Sequence, residues 1–269
     1  MIDMHIHVLP GVDDGIKNSE DAVECCRLAA ADGTSEIIVT PHMKEGFYLN
    51  ERSRVLAAAA ELQERLDREG VVLRVLPGSE VYFAPDLVSG VRDGRLATLA
   101  DGGRYLLLEL PYTQHPVGVD ETIFNLKVAG ITPIMAHPER IRWFQEDLGR
   151  LDRAIRLGAL SQLTTTSLTG GFGSKVEEIA LEMVRRRMVH FLASDSHDRQ
   201  YRPPRLSAAV ARLTALAGEE TARRAVQDHP LAVIRGEPID PPDPIDAGGG
   251  GGDRPSALSR FWRRLIPKS

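Results

Sequence analysis

The feature that most restricts the fold of this chain is repetition: short apolar strands alternate with amphipathic helices along most of its 269 residues. An alternating run from Ile2 to Val8 leads into a helix over Ser19 to Ala31, with Ser19 as the expected N-cap, Glu20 and Asp21 in the first turn and Gly33 as the stop. Glu36 to Thr40 reads as a strand closed by Pro41, and Asn50 to Glu69 as an alanine-rich helix ended by Gly70. The unit then recurs. Further strands are expected at Val71 to Leu76, Tyr105 to Leu110, Ile131 to Met135, Leu160 to Thr165 and Met188 to Ala193. Helices are expected at Val119 to Ala129, Arg142 to Leu157, Lys175 to Arg187 and Arg205 to Ala217, while Phe83 to Gly103 breaks the spacing and predicts a short helix and a loop. Seven strands alternating with helices predict an α/β fold of parallel βαβ units, suited to a closed or nearly closed barrel; a doubly wound open sheet has the same alphabet.

Such a fold needs a large core and no staples, and 42% hydrophobic with 26% charged residues supplies it. The only cysteines, Cys25 and Cys26, are adjacent in one helix, where their side chains diverge, so a reducing, cytoplasmic setting is expected. No apolar run approaches the roughly 20 residues needed to span a bilayer. The net charge of −5 gives no overall footprint for nucleic acid. It is unevenly spread: Asp253 to Ser269 carries five basic residues and one acidic, a local +4 that leaves the preceding residues at −9.

Metal-ligand side chains gather where the strands end. Asp3, His5 and His7 alternate with Ile2, Met4, Ile6 and Val8, so a period of two places the first three on one face. His42 follows the second strand, Glu80 the third, Glu109 ends the fourth, His137 follows the fifth, and Asp195 with His197 follow the seventh. In a parallel barrel these ends form one mouth, and the turn Pro10 to Gly15 can fold Asp13 or Asp14 back over it. A lone histidine is more often structural, and mid-strand His190 and His229, before Pro230, are assigned to that class. Burying so many ionisable groups without cations would be costly. Imidazole and carboxylate without thiolate suit Mn²⁺, Fe²⁺ or Zn²⁺, and nine ligands are too many for one ion.

These segments resemble the PHP (polymerase and histidinol phosphatase) superfamily, and more closely its bacterial tyrosine-protein phosphatases of capsule and exopolysaccharide operons. The resemblance spans about residues 1 to 236 and rests on Met1 to His7, Val12-Asp13-Asp14-Gly15, Thr40-Pro41-His42, Gly78 to Tyr82, Leu107-Leu108-Glu109 and Ala136 to Arg140. It continues through Gln162-Leu163-Thr164, Gly171-Phe172-Gly173, Ala193 to His197 and Arg202-Pro203-Pro204. It implies a distorted TIM-like (β/α)7 barrel holding three divalent ions, Mn²⁺ first with Fe²⁺ or Zn²⁺ as alternatives. The implied ligands are His5, His7, Asp14, His42, Glu80, Glu109, His137, Asp195 and His197, and the implied phosphate-binding catalytic residues are Arg140 and Arg202. The implied partition is His5, His7, Glu80 and Asp195 on one ion, Glu80, Glu109 and His137 on a second, and Asp14, His42 and His197 on a third.

The expected activity is metal-dependent hydrolysis of phosphotyrosine on protein, with a tyrosine autokinase of polysaccharide export as the expected substrate. The alternatives are a small-molecule phosphoesterase of the superfamily, such as a histidinol phosphatase, and a catalytically silent binding domain. A cysteine route is excluded, because Ala31 and Asp32 stand six positions after Cys25 and Cys26, where a phosphate loop needs arginine. Gly170 to Lys175 lacks the Gly-Lys-Ser/Thr of a nucleotide loop.

Three segments are expected: a metallophosphatase domain over residues 1–240, a Pro/Gly-rich linker over 241–252 and a disordered basic tail over 253–269. In the tail Leu258, Phe261, Trp262 and Leu265 fall at helical spacing with arginines between, a pattern that could bring the protein to the inner face of a membrane or to a partner.

Overall fold

The computed structural model describes residues 1–245; the glycine run and the basic tail lie outside the described residues. Its elements are β1 (Ile2–Ile6), α1 (Ser19–Ala31), β2 (Glu36–Val39), β3 (His42–Met43), α2 (Arg52–Arg68), β4 (Arg74–Pro77), β5 (Glu80–Tyr82), α3 (Leu87–Arg92), β6 (Tyr105–Glu109), α4 (Val119–Val128) and β7 (Thr132–Ala136). There follow α5 (Arg142–Glu146), α6 (Gly149–Arg156), β8 (Leu160–Thr164), α7 (Thr165–Leu168), α8 (Ser174–Arg185), β9 (Phe191–Ala193), α9 (Ser207–Ala217), α10 (Glu219–Arg223) and α11 (His229–Arg235).

Every strand pairing between these elements is parallel. They form two sheets, β1-β2-β4 and β3-β5-β6-β7-β8-β9, yet the sheets are parts of one wall. Glu36 pairs with Arg74 in one, and His42 with Glu80 in the other, at the same sequence offset. Thus β2 and β3 are a single strand position interrupted at Thr40-Pro41, where proline cannot donate to the ladder, and β4 and β5 are another interrupted at Gly78-Ser79. Seven positions result. The wall closes through a parallel bridge between Ile6 and Ser196, with Asp195 N–H donating to His5 O at 2.8 Å and His7 N–H to Ser196 O at 2.9 Å.

Inside the wall, Leu107, Ile134, Ala136, Leu160, Phe191 and Ala193 from the neighbouring strands β6 to β9 pack with Met4 and Ile38. Ile6 and Val8 instead join Ile37, Val39 and the buried faces of α1 and α2. The register shift between Asp3 and Ile6 explains why Met4 and Ile6 part company, which corrects the strict alternation expected of this strand.

Other departures have local causes. Asn18, not Ser19, caps α1, its Oδ1 accepting Asp21 N–H at 2.9 Å. The expected helix over Arg142 to Leu157 is two, because Asp147 Oδ1 accepts Gly149 N–H at 2.9 Å and turns the chain between them. The final helices were not anticipated from sequence; Pro230 sits at the start of α11, where its missing N–H costs nothing. Val233 of that helix enters the interior cluster, and Tyr105 Oη donates to Glu237 O at 2.6 Å, so the last helix of the described residues closes the amino-terminal end of the barrel. Chemistry is left to the other end. Cys25 and Cys26 are buried and unbridged, and burial pushes both thiols up to about 12. No helix among the described residues is long and apolar enough to cross a membrane.

Candidate metal centre

All nine candidate ligands stand at the carboxyl ends of strands or in the loops that leave them. The first pair converges most tightly. His5 Nδ1 lies 2.8 Å from Gln162 Oε1, and His7 Nδ1 donates to Asp13 Oδ2 at 2.7 Å. With both Nδ1 atoms so engaged, the Nε2 atoms are free to ligate, and they face each other 3.0 Å apart. Glu80 Oε2 is 3.3 Å from each of them, and Asp195 Oδ1 is 3.3 Å from His5 Nε2 and 3.5 Å from His7 Nε2. Four acceptor-type atoms therefore aim at one buried point.

Glu80 also reaches sideways. Its Oε1 lies 2.8 Å from His137 Nε2, while Oε2 lies 3.1 Å from His42 Nδ1. Glu109 Oε2 stands 3.4 Å from the same His42 nitrogen, and Asp14 Oδ1 stands 3.4 Å from both His42 Nε2 and His197 Nε2. Three sets of ligand atoms gather closely enough to share an ion: His5, His7 and Glu80; His42, Glu80 and Glu109; and His7, Asp14, His42 and His197. Buried Glu80 Oε2, Glu109 Oε2, His42 Nδ1 and His137 Nδ1 have no hydrogen-bond partner. Orphaned acceptors on facing imidazoles and carboxylates fit divalent cations, whose charge would offset part of the cost of burying them.

The electrostatics follow from this crowding. Burial alone would raise the Glu80 carboxyl, but His5, His42 and His137 outweigh it and hold the group well below the carboxylate range. Burial opposes charge on His7, yet Asp13 and Glu80 together lift it to about 10. Asp195 is likewise held low against burial, first by His5 and Arg202. Two of the candidate ligands also occupy strained backbone: His137 at φ 36° and Asp195 at φ 51° are non-glycine residues in the left-handed region, each at a cost of about 1–3 kcal/mol. The doubled aspartate resolves into two tasks. Asp14 points to the His42–His197 group, whereas Asp13 fixes His7 and also accepts the N–H groups of Gly15 at 2.9 Å and His42 at 3.1 Å. A Cβ on Gly15 would sit 2.3 Å from His7 O, so this turn requires glycine. Asp3, on the same strand, is an acceptor for Ser194 N–H at 3.0 Å and takes no place among the ligand sets.

The two arginines reach the same centre from different loops. Arg140, on the turn after β7, donates from Nη1 to Asp195 Oδ2 at 2.6 Å, and Arg202 donates to that same oxygen. Phe172 covers both: its ring centre is 4.7 Å from the Arg140 guanidinium carbon and 5.9 Å from that of Arg202. Tyr112 stacks on His137 at 5.5 Å and Tyr48 on His42 at 5.8 Å. These aromatic contacts, and the role of Gln162, were not read from sequence; Gln162 and Phe172 lie within the motif segments, but only the folded loops give them partners.

His190 and His229 are elsewhere, as their structural assignment requires. Ser161 N–H donates to His190 Nδ1 at 3.0 Å, and His229 Nδ1 lies 2.8 Å from His190 O. Burial pushes His190 down to about 3. A depressed histidine contributes stability that is complete above its unfolded value near 6.5 and drains away as pH falls toward about 3, because the unfolded chain then binds the extra proton. We expect the urea midpoint of the wild type to fall across that window more steeply than that of His190→Asn, which keeps an acceptor for Ser161 but cannot titrate. Parallel slopes would show that His190 does not govern acid sensitivity.

Comparison with known proteins shows the family and the fold. The family model for capsular polysaccharide synthesis, CpsB/CapC, matches residues 1–235. The tyrosine-protein phosphatase YwqE of Bacillus subtilis is 35% identical over 247 residues, covering 91% of this chain and 96% of that protein. The tyrosine-protein phosphatase CpsB of Streptococcus pneumoniae is 26% identical, covering 87% and 98%. A crystal structure from work on YwqE and CpsB, described there as unique metal-dependent tyrosine phosphatases, superposes with a TM-score of 0.86 at 34% identity, covering 91% of this chain and all of that one.

Proposed function

Since the chain belongs to the CpsB/CapC family of capsular polysaccharide synthesis, we propose that it is a metal-dependent phosphatase acting on phosphotyrosine in proteins. The observation that carries this reading is the double use of Asp195. One carboxylate oxygen faces His5 and His7, and the other receives both Arg140 and Arg202. The candidate metal ligands and a pair of phosphate-type guanidiniums thereby meet on two sides of one residue.

Divalent cations bound among the nine ligands would supply Lewis-acid charge and make a water acidic enough to serve as nucleophile at neutral pH. Three ions, with Mn²⁺ preferred over Fe²⁺ or Zn²⁺, suit the number and kind of ligands. Gln162 and Asp13 keep the inward nitrogens of His5 and His7 free to ligate by engaging their other ring nitrogens. Arg140 and Arg202, turning from Asp195 to a phosphoryl group, would hold its oxygens through paired charge-assisted bonds and stabilise the charge that grows there. Tyrosine leaves with a pKa near 10, so the departing oxygen makes a smaller demand for a proton donor than an alkoxide would. No covalent enzyme intermediate is needed.

The substrate we favour is a bacterial tyrosine autokinase of polysaccharide export. The mixture of five basic residues with Leu258, Phe261, Trp262 and Leu265 in the sequence after residue 252 supports a contact with an anionic bilayer, which would bring the enzyme to a membrane-held substrate.

The test is hydrolysis by chelator-stripped protein with Mn²⁺, Zn²⁺ or Fe²⁺ restored separately, offered phosphotyrosyl peptide and histidinol phosphate. Metal-dependent turnover with preference for the peptide is expected. Preference for histidinol phosphate would transfer the protein to small-molecule chemistry, and no turnover with any metal would leave a binding domain.

A further inference from the structure

The exposed apolar side chains of the described residues include four on loops that leave the carboxyl ends of the strands: Phe47, Leu49, Val117 and Tyr201. Phe47 and Tyr201 are large, 75% and 84% exposed, and each is the chain neighbour of a residue already at the centre. Phe47 precedes Tyr48, which stacks on His42; Tyr201 precedes Arg202, which reaches Asp195.

Neither aromatic hangs on slack chain. Lys44 and Tyr48 exchange both backbone hydrogen bonds at 2.8 Å around a tip with Gly46 at φ +80°, so Phe47 is displayed by a closed hairpin. The Lys44 ammonium lies 5.0 Å from the Phe47 ring centre and 3.9 Å from that of Tyr82, tying the hairpin down to β5. In the second loop, Asp198 Oδ1 gathers the N–H groups of Gln200, Tyr201 and Arg202, while His197 N–H donates back to Arg202 O at 3.2 Å. Two loops thus hold one aromatic each in water at a fixed place beside the mouth. Exposed apolar groups on pre-ordered backbone are what a binding surface presents, since little entropy remains to be lost on contact.

Resting on the phosphotyrosine reading above, we propose that Phe47 and Tyr201 form a docking rim for the residues that flank the phosphotyrosine in an extended segment of the protein substrate. A tyrosyl side chain that brings its phosphate to Arg140, Arg202 and the ligand cluster would carry its own backbone past the loops whose Tyr48 and Arg202 already reach that centre. The neighbours of the modified residue then meet the two aromatics, while a free aryl phosphate does not.

The experiment compares kcat/KM for a phosphotyrosyl peptide with that for p-nitrophenyl phosphate, using the full chain loaded with the metal that restores activity, in wild type, Phe47→Ala, Tyr201→Ala and the double variant. The peptide-to-ester ratio is expected to fall about three- to tenfold in each single variant and further in the double. Val72→Ala removes an equally exposed apolar side chain from the turn before β4, at the far end of the barrel, and should leave the ratio where it is. An unchanged ratio in the rim variants would overturn the proposal, as would an equal loss on both substrates. A shift in sedimentation toward monomer with no change in ratio would instead assign the rim to a second copy of the chain, and would also overturn it. If the wild type turns over the ester but no phosphotyrosyl peptide, the substrate reading fails and the rim proposal falls with it.

Discussion

Glu80→Gln is expected to reduce turnover by about 10³-fold or more and to lower the bound divalent metal, with the barrel still folded. The Glu80 carboxylate is shared by more imidazoles at close range than a single ion's ligand set holds. Its two oxygens approach four imidazoles, those of His5, His7, His42 and His137, at 2.8 to 3.3 Å. It also stands in two of the three ligand sets. Glutamine preserves shape and one carbonyl oxygen but replaces the other by an NH₂ group, which has no lone pair for a cation and points two N–H donors at imidazole nitrogens. The neutral side chain also removes the charge that balances the cluster, so the loss cannot be local to one ion. The fold should survive, because the packing of Leu107, Ile134, Phe191 and their neighbours lies below the mouth and does not involve Glu80. Elemental analysis of the purified variant, circular dichroism and turnover on phosphotyrosyl peptide test these points separately. A variant with full metal content and near-normal rate would remove Glu80 from the centre.

How much of this was readable in advance follows from the kind of interaction concerned. Strand positions and the ligands at their ends were legible because both are local: period-two patterning and a following glycine, proline or charged residue suffice. The interrupted pairs were not, since nothing around Pro41 or Gly78 states that His42 and Glu80 continue the register of Glu36 and Arg74. Asp13 and Asp14 could be recognised as a turn that folds back, but dividing their work required the position of His7 Nδ1 relative to both. Contacts between loops were least accessible. Phe172 lies on the Arg140 and Arg202 guanidiniums only because the loops after three different strands meet there, and the spacing of those loops in sequence carries no trace of it. The segment after Gly218 failed for a different reason: its helices are short and contain a proline, and their stability comes from closing the barrel rather than from a strong local pattern.

The same convergence predicts how the two arginines fail. Arg140→Ala and Arg202→Ala should each lower kcat on phosphotyrosyl peptide by about 10²- to 10³-fold, the range found when a donor to transition-state charge is removed. The double variant should lose less than the product of the two. Both guanidiniums share Asp195 Oδ2 and lie against Phe172, so removing one leaves its partner without the neighbour that limits where it can point. Residues coupled through shared contacts do not contribute independently. Lysine should not rescue either position. An ammonium supplies the charge but neither the planar fork that can grip two phosphoryl oxygens nor the flat face that packs on an aromatic ring. Removing one guanidinium also leaves Asp195 with a less compensated charge, so metal content is measured alongside the rates to separate loss of cations from loss of phosphoryl contacts. Full restoration by Arg140→Lys, or losses that multiply cleanly in the double variant at constant metal content, would mean that the arginines act as separate point charges and that their common seat on Asp195 has no part in catalysis.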